Sequence, residues 1–127
     1  MEYLTKKQLQ LIHSIVIDEI GGLHGVRDRQ RLESIEAAPQ QHVFGEELYP
    51  SLFLKTAVYA HDIIMFHPFS DGNKRTAMAA AGTFLELNGY QVIAEKGELE
   101  KLALKIAMKK IEKEEIAEWF KKNSEKI

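Results

Sequence analysis

HPFSDGNKR, residues His67 to Arg75, gathers an imidazole, a carboxylate, a glycine, an amide and two cations into one short run. The stretch before it, SLFLKTAVYAHDIIMF from Ser51 to Phe66, is apolar on nearly every side of a helical wheel. The stretch after it, TAMAAAGTFLEL from Thr76 to Leu87, is apolar and built from small residues. A helix that is hydrophobic all round belongs inside a helical core. The pattern therefore predicts a buried helix, a short polar loop and a second buried helix, with the loop at the mouth of the pair.

Residue types fix the expected geometry of that loop. Pro68 disfavours helical backbone for the residue before it, so the first helix should stop near His67. Gly72 allows a turn or the close approach of a ligand to the backbone. Either Asp71 or Asn73 can cap the second helix by accepting from its free amides. Phe69 is expected to be buried and to anchor the loop. Lys74 and Arg75 then fall in the first turn, where cations oppose the helix dipole. Such a start is favourable when an anion binds there, and exposed helix amides are themselves an anion site. A phosphate is the simplest guest.

Three further roles follow from chemistry. Imidazole titrates at about 6.5 when unperturbed, so His67 is a candidate general base for a hydroxyl nucleophile. Asp71 is a hard oxygen donor suited to magnesium, which is commonly held by a carboxylate together with substrate phosphates. Base, metal ligand and phosphate clamp on one loop are what phosphate-group transfer requires, because catalysis there is mostly positioning and charge neutralisation. The competing reading is a helix stop, a turn and a solvated cation pair with no chemistry, as in a non-enzymatic interaction module.

The run His67-Pro68-Phe69-Ser70-Asp71-Gly72-Asn73-Lys74-Arg75 resembles the Fic/Doc signature, His-x-Phe-x-Asp/Glu-Gly/Ala-Asn-Gly/Lys-Arg. It is most similar to the Doc branch, which has lysine where most Fic proteins have glycine. Gly21-Gly22-Leu23-His24-Gly25-Val26-Arg27-Asp28 resembles a second Doc block, and Phe44 to Pro50 and Phe84 to Tyr90 have family counterparts. The resemblance runs from about Tyr3 to the last helix, and a long spaced signature with supporting blocks is specific.

The resemblance implies roles for named positions. His67 would activate the target hydroxyl, and Asp71 would hold magnesium against the nucleotide phosphates. Gly72 and Asn73 would form the anion-binding turn, with Lys74 adding charge and Arg75 neutralising terminal phosphate. Many Fic adenylyltransferases carry a second arginine three positions later, where this chain has Met78. With Lys74, this favours a Doc-like kinase that moves the gamma phosphate of ATP to a serine or threonine, elongation factor Tu being the family's known target. AMP transfer by the same loop is the alternative, and Gly72 itself is a Fic feature because Doc has alanine there. An intramolecular inhibitory helix of the Fic type, Ser/Thr four positions before Glu-Gly or Glu-Asn, is absent from the sequence. Restraint is then expected from a partner, a Phd-type antitoxin whose flexible tail orders as a helix on binding.

The remaining chain fits this frame. With 127 residues, 45% hydrophobic and 28% charged, it is expected to be one domain, residues 1–127, with a real core. A net charge of −2 gives no basic field for nucleic acid or anionic lipid. Cysteine is absent, which removes thiolate chemistry and disulfides and suits the cytoplasm. The first residues lack a signal-peptide core, and no apolar run is long enough to span a bilayer.

Thr5 and Gln8 form a capping box that opens a first helix, with Leu9, Ile12 and Val16 inward and Gly21-Gly22 ending it. His13 on that helix reads as a packed or surface histidine. GGLHGVRD reads as a structural connector that can shape the cleft, with Arg27 paired to a carboxylate or serving a phosphate. Asp28 should cap a short helix carrying Leu32 and Ile35 and closing before Pro39. PQQHVFGEELYP, residues 39–50, is either a flap that pairs with an extended target segment, as in Fic-like folds, or a plain connection with Phe44 and Leu48 tucked inward. His61 and Asp62 read as a polar seam or as support for the signature loop. Asn88-Gly89 should end the second central helix. YQVIAE can be extended, and two further helices follow, with Leu99, Leu102, Ala103 and Ile106 and then Ile116, Trp119 and Phe120 inward. The expected class is an all-α, Fic-like helical bundle with two central buried helices and a short flap.

Overall fold

The computed structural model describes residues 1–127 and is mainly helical. Six helices run in the order α1 (Lys6–Ile20), α2 (Arg29–Ala37), α3 (Leu52–Phe66), α4 (Asn73–Leu87), α5 (Lys96–Ala107) and α6 (Lys113–Lys122). A 3-10 turn, Ala38–Gln40, follows α2. Two small antiparallel ladders complete the fold: β1 (His42–Val43) with β2 (Glu46–Glu47), and β3 (Tyr90–Val92) with β4 (Ser124–Lys126). No helix is long and apolar enough to cross a membrane.

The buried pair is α3 and α4. Ala57, Ala60, Ile63 and Ile64 of α3 and Ala77, Ala80, Ala81 and Phe84 of α4 are all at most 1% exposed. The alanines let the helices approach closely, and Tyr59 fills the space beside Phe84 with ring centroids 4.9 Å apart. Each fully buried Ile or Phe contributes about 1.5–3 kcal/mol, and a larger side chain at Ala80 would overpack the contact at about 1–3 kcal/mol. Around them α1 contributes Leu9, Val16 and Ile17, α5 Leu102 and Ile106, and α6 Ile116 and Phe120. Ile12, Leu99 and Trp119 are only half-buried at the margin of this core.

Local signals explain the helix ends. The Thr5–Gln8 capping box is formed in both directions and Gly21 closes α1. The Asp28 side chain accepts from Arg31 N and opens α2, which ends at Ala37 before Pro39. Ser51 accepts from Leu54 N and opens α3. Asn88 and Gly89 follow the end of α4, Gly89 at φ 89°.

One of the two readings of the hairpin is corrected. Phe44 and Leu48 are not tucked inward: Phe44 is fully exposed at the tip of the β1–β2 hairpin and Leu48 is 45% exposed. Phe44 (φ 51°) and Gly45 (φ 81°) form a tight turn that turns the side chain outward. The second hairpin strand is tied down by Lys55, buried at 1%, whose Nζ donates to Glu47 Oε1 at 2.9 Å and to Pro39 O at 3.0 Å. This pairing holds the Glu47 carboxyl below its ordinary pKa. Beyond α6, Ser124–Lys126 is extended and pairs with β3.

Candidate active site

The signature loop is built around a broken helix. α3 stops at Phe66, and His67 takes a left-handed backbone, φ 48° and ψ 59°. A non-glycine residue there costs roughly 1–3 kcal/mol, and such strain gathers at functional sites. The Phe66 carbonyl left over at the helix end accepts from Arg31 Nη1 at 2.8 Å. Arg31 is in turn held by Asp28, Nε to Oδ2 at 3.3 Å. The His67 imidazole is exposed and stands at the rim of a cleft.

The glycine-rich connector does more than link helices. It zips against the signature loop: Arg27 N and Asp28 N both donate to Pro68 O (2.8 and 3.1 Å), and Ser70 N donates to Gly25 O (3.1 Å). Val26 and Phe69 form an antiparallel bridge. Arg27 pairs with no carboxylate; its contribution is main-chain. Phe69, 1% exposed, is the anchor expected of it.

Helix α4 begins differently from the sequence expectation. Neither Asp71 nor Asn73 caps it through a side chain; the N-cap is Gly72 itself, in left-handed backbone (φ 71°, ψ 22°). A Cβ at Gly72 would stand 2.9 Å from Ile17 Cδ1 on α1, so α1 packs directly onto the turn. Asn73 is buried and spends its amide on the loop, Oδ1 accepting from Phe69 N and Nδ2 donating to Phe69 O, each at 3.1 Å. The first amide satisfied within the helix is Thr76 N, bonded to Gly72 O. The amides of Asn73, Lys74 and Arg75 have no acceptor in the chain. Lys74 and Arg75 are exposed and form no ion pair.

The result is a cleft of about 310 Å³ lined only by residue 67 and residues 70–75, none of them hydrophobic. All six of the residues singled out from the sequence, His67, Asp71, Gly72, Asn73, Lys74 and Arg75, meet in it. Free helix amides and two unpaired cations suit it to receive an anion, and an imidazole stands on its rim. No cluster of three acidic or histidine side chains exists that could cage a metal by itself. Asp71 is the one carboxylate in the cleft; Oδ1 accepts from Gly72 N (2.9 Å) and Oδ2 from Leu23 N (3.2 Å). A single exposed, oriented carboxylate beside an anion site fits the way magnesium is shared between protein and substrate phosphates.

Sequence reasoning missed the part played by His13. It is packed, 3% exposed, as one of its two readings held, but its ring serves the loop. It lies flat on Phe69, centroids 4.0 Å apart and planes 4° apart, with Nε2 2.8 Å from Asp71 O. Because the carbonyl can only accept, Nε2 carries the proton. Burial pushes the ring's pKa down, partly opposed by that hydrogen bond. No local signal marks it: His13 sits four residues before Ile17, but that this face meets Gly72 emerges only in the fold. His61 and Asp62 do form a polar seam, on the side facing α6. His61 Nδ1 is 2.7 Å from Asp62 Oδ1, and Lys113 of α6 approaches the same carboxylate at 3.8 Å.

Residues 3–85 match the Fic/DOC family. The chain is 42% identical over 94 residues to the protein named Toxin Doc of Mycolicibacterium smegmatis, covering 74% of this chain and 70% of that protein. It is 38% identical over 92 residues to Protein kinase doc of Escherichia phage P1, covering 72% of each.

Proposed function

The chain belongs to the Fic/DOC family, and from that membership we propose that it is a Doc-like toxin that phosphorylates a protein. The donor is ATP and the acceptor is a serine or threonine hydroxyl of a translation protein, elongation factor Tu by family resemblance. The carrying observation is the cleft itself, with the exposed His67 imidazole on its rim and the free amides of residues 73–75 beside unpaired Lys74 and Arg75.

In this reading His67 takes the hydroxyl proton as the acceptor oxygen bonds to the gamma phosphorus. The bond from that phosphorus to the beta–gamma bridging oxygen breaks, and ADP leaves. Gly72 keeps the turn open, and the amides of Asn73, Lys74 and Arg75 with the two side-chain cations receive the phosphate charge. Asp71 would hold magnesium, which when bound neutralises and orients the nucleotide phosphates. Met78, where many Fic adenylyltransferases have a second arginine, packs against the core and offers no cation. This supports gamma over alpha transfer. Gly72 speaks for the competing AMP transfer, because Fic proteins have glycine where Doc has alanine.

The deciding experiment supplies the purified chain and a cell extract with ATP labelled on either phosphate. Label from the gamma phosphate alone on a protein band is the expected result. Alpha label on protein overturns the kinase reading in favour of AMP transfer. No transfer of either label, with no calorimetric binding of MgATP, favours an interaction module instead. The proposed restraint is a Phd-type antitoxin and the proposed setting the cytoplasm, where ATP and translation proteins are found. Expression of the chain without an antitoxin is expected to arrest growth; unimpaired growth counts against the toxin assignment.

A further inference from the structure

His13 is the one polar side chain among the buried residues of α1, in the company of Leu9, Val16 and Ile17. Burying an imidazole is costly unless it is hydrogen-bonded, so an aliphatic side chain would serve packing alone better. The ring is restrained twice. Phe69 fixes its plane, and Asp71 O fixes the direction of its Nε2–H.

The bond falls on a particular peptide. The carbonyl of Asp71 and the N–H of Gly72 belong to one rigid planar unit. That N–H donates to Asp71 Oδ1, and Leu23 N holds Oδ2. Gly72 accepts either sign of φ, so nothing in its own chemistry prevents this peptide from flipping. A flip would withdraw the N–H from the Asp71 carboxylate and reverse the peptide's dipole at the head of α4. The hydrogen bond from His13 opposes it.

We propose that His13 is a positioning residue: by holding the Asp71 carbonyl it locks the Asp71–Gly72 peptide, and through it sets the Asp71 carboxylate and the phosphate-binding start of α4. The inference deepens the reading of the cleft as a nucleotide phosphate site and rests on it for its catalytic consequence. Its structural half stands without that reading.

The test uses the full chain with two substitutions. His13→Phe keeps a flat ring against Phe69 and removes the donor; His13→Gln keeps a donor and removes the stack. In His13→Phe, amide hydrogen exchange at Leu23 should quicken about fivefold, the order expected from losing one hydrogen bond. KM for MgATP should rise about tenfold with a smaller change in kcat, the mark of lost phosphate binding in ground and transition states alike. His13→Gln should recover most of both. A purely structural role would instead lower the melting temperature while leaving Leu23 exchange and KM per folded molecule at wild-type values, and that result overturns the proposal. So does His13→Gln behaving like His13→Phe. Should His13→Phe fail to fold, nitrogen spectra of the unaltered protein decide: a proton on Nε2 supports the inference and a proton on Nδ1 sinks it. If the unaltered chain binds no MgATP, the functional reading fails while Leu23 exchange still judges His13.

Discussion

Gly21 and Gly22 both have positive φ, 91° and 120°, yet only Gly22 lies against the Asp71 carboxylate. Neither sits in the left-handed helical well, and alanine forced into such glycine-favouring backbone meets a strain of about 1–3 kcal/mol at either position. At Gly21 a Cβ finds nothing within 4 Å, so that penalty is the whole effect. At Gly22 the Cβ would stand 2.7 Å from Asp71 Oδ2, and ordinary contact begins at 3.4 Å. The carboxylate must therefore retreat by about 0.7 Å, the difference of those two distances. That movement strains its bond from Leu23 N, and the loss of a hydrogen bond to a charged group costs about 1.5 kcal/mol at the low end appropriate to an exposed carboxylate. Gly22→Ala should thus lose about 2.5–4.5 kcal/mol in urea unfolding against about 1–3 for Gly21→Ala. Activity should separate them further, because a misplacement near 1 Å in a catalytic group costs up to about a hundredfold. Gly22→Ala should lose tens of fold in label transfer at a temperature where both variants are folded, and Gly21→Ala almost nothing. Equal activity in the two variants would refute the assignment of Asp71 to the chemistry.

Three other outcomes are expected. His67→Gly should lower transfer by at least about a hundredfold, the scale of a missing general base, while holding stability within about 1 kcal/mol because the left-handed strain is relieved; retained transfer removes His67 from the mechanism. Tyr59 donates nothing to water: burial pushes its hydroxyl from the ordinary 10.0 to about 12, and Leu4 N bonds to it at 3.0 Å. A pKa raised on folding gives stability that is whole below the unfolded value and lost as pH climbs from 10.0 towards about 12. The loss is on the order of 2–3 kcal/mol, so Tyr59→Phe should flatten the alkaline decline seen by circular dichroism, and an unchanged decline rejects the assignment. Lys55→Met should release the Glu47 strand of the hairpin, so that the Glu47 carboxyl titrates higher by NMR and protease cuts the hairpin faster. The Lys55 contribution is present above the ordinary Glu value and fades as pH falls through the depressed one; a Glu47 titration identical in both proteins disproves the tie.

Much of this was readable before any coordinates. The Thr5–Gln8 box, the Asp28 cap, the stop before Pro68 and the apolar wheel of residues 52–66 are local rules, and each is obeyed. The cleft residues came together because they are neighbours in sequence. What escaped was long-range. The pairing of Ser124–Lys126 with β3 has no strand signal in its polar side chains and depends on where α6 delivers the chain. Asp71 was free to cap α4, but Leu23, 48 residues away, holds its carboxylate elsewhere. Phe44 looked like a core residue by type, and only the tight Phe44-Gly45 turn sends it outward. His13 had no local reason to matter, since its partners lie on the far side of two intervening helices.

The zipped connector has a consequence for how the cleft comes into being. Its walls are joined by bonds from Leu23 N to Asp71, Ser70 N to Gly25 O, Arg27 N to Pro68 O and His13 Nε2 to Asp71 O. No segment shorter than residues 13–75 therefore holds all the parts, and closing so large a loop must precede their assembly. A nascent chain with only its first helices out of the ribosome has no cleft. The cleft exists only once α4 has docked, so an agent that intercepts the chain before that step would abolish it without touching a single cleft residue.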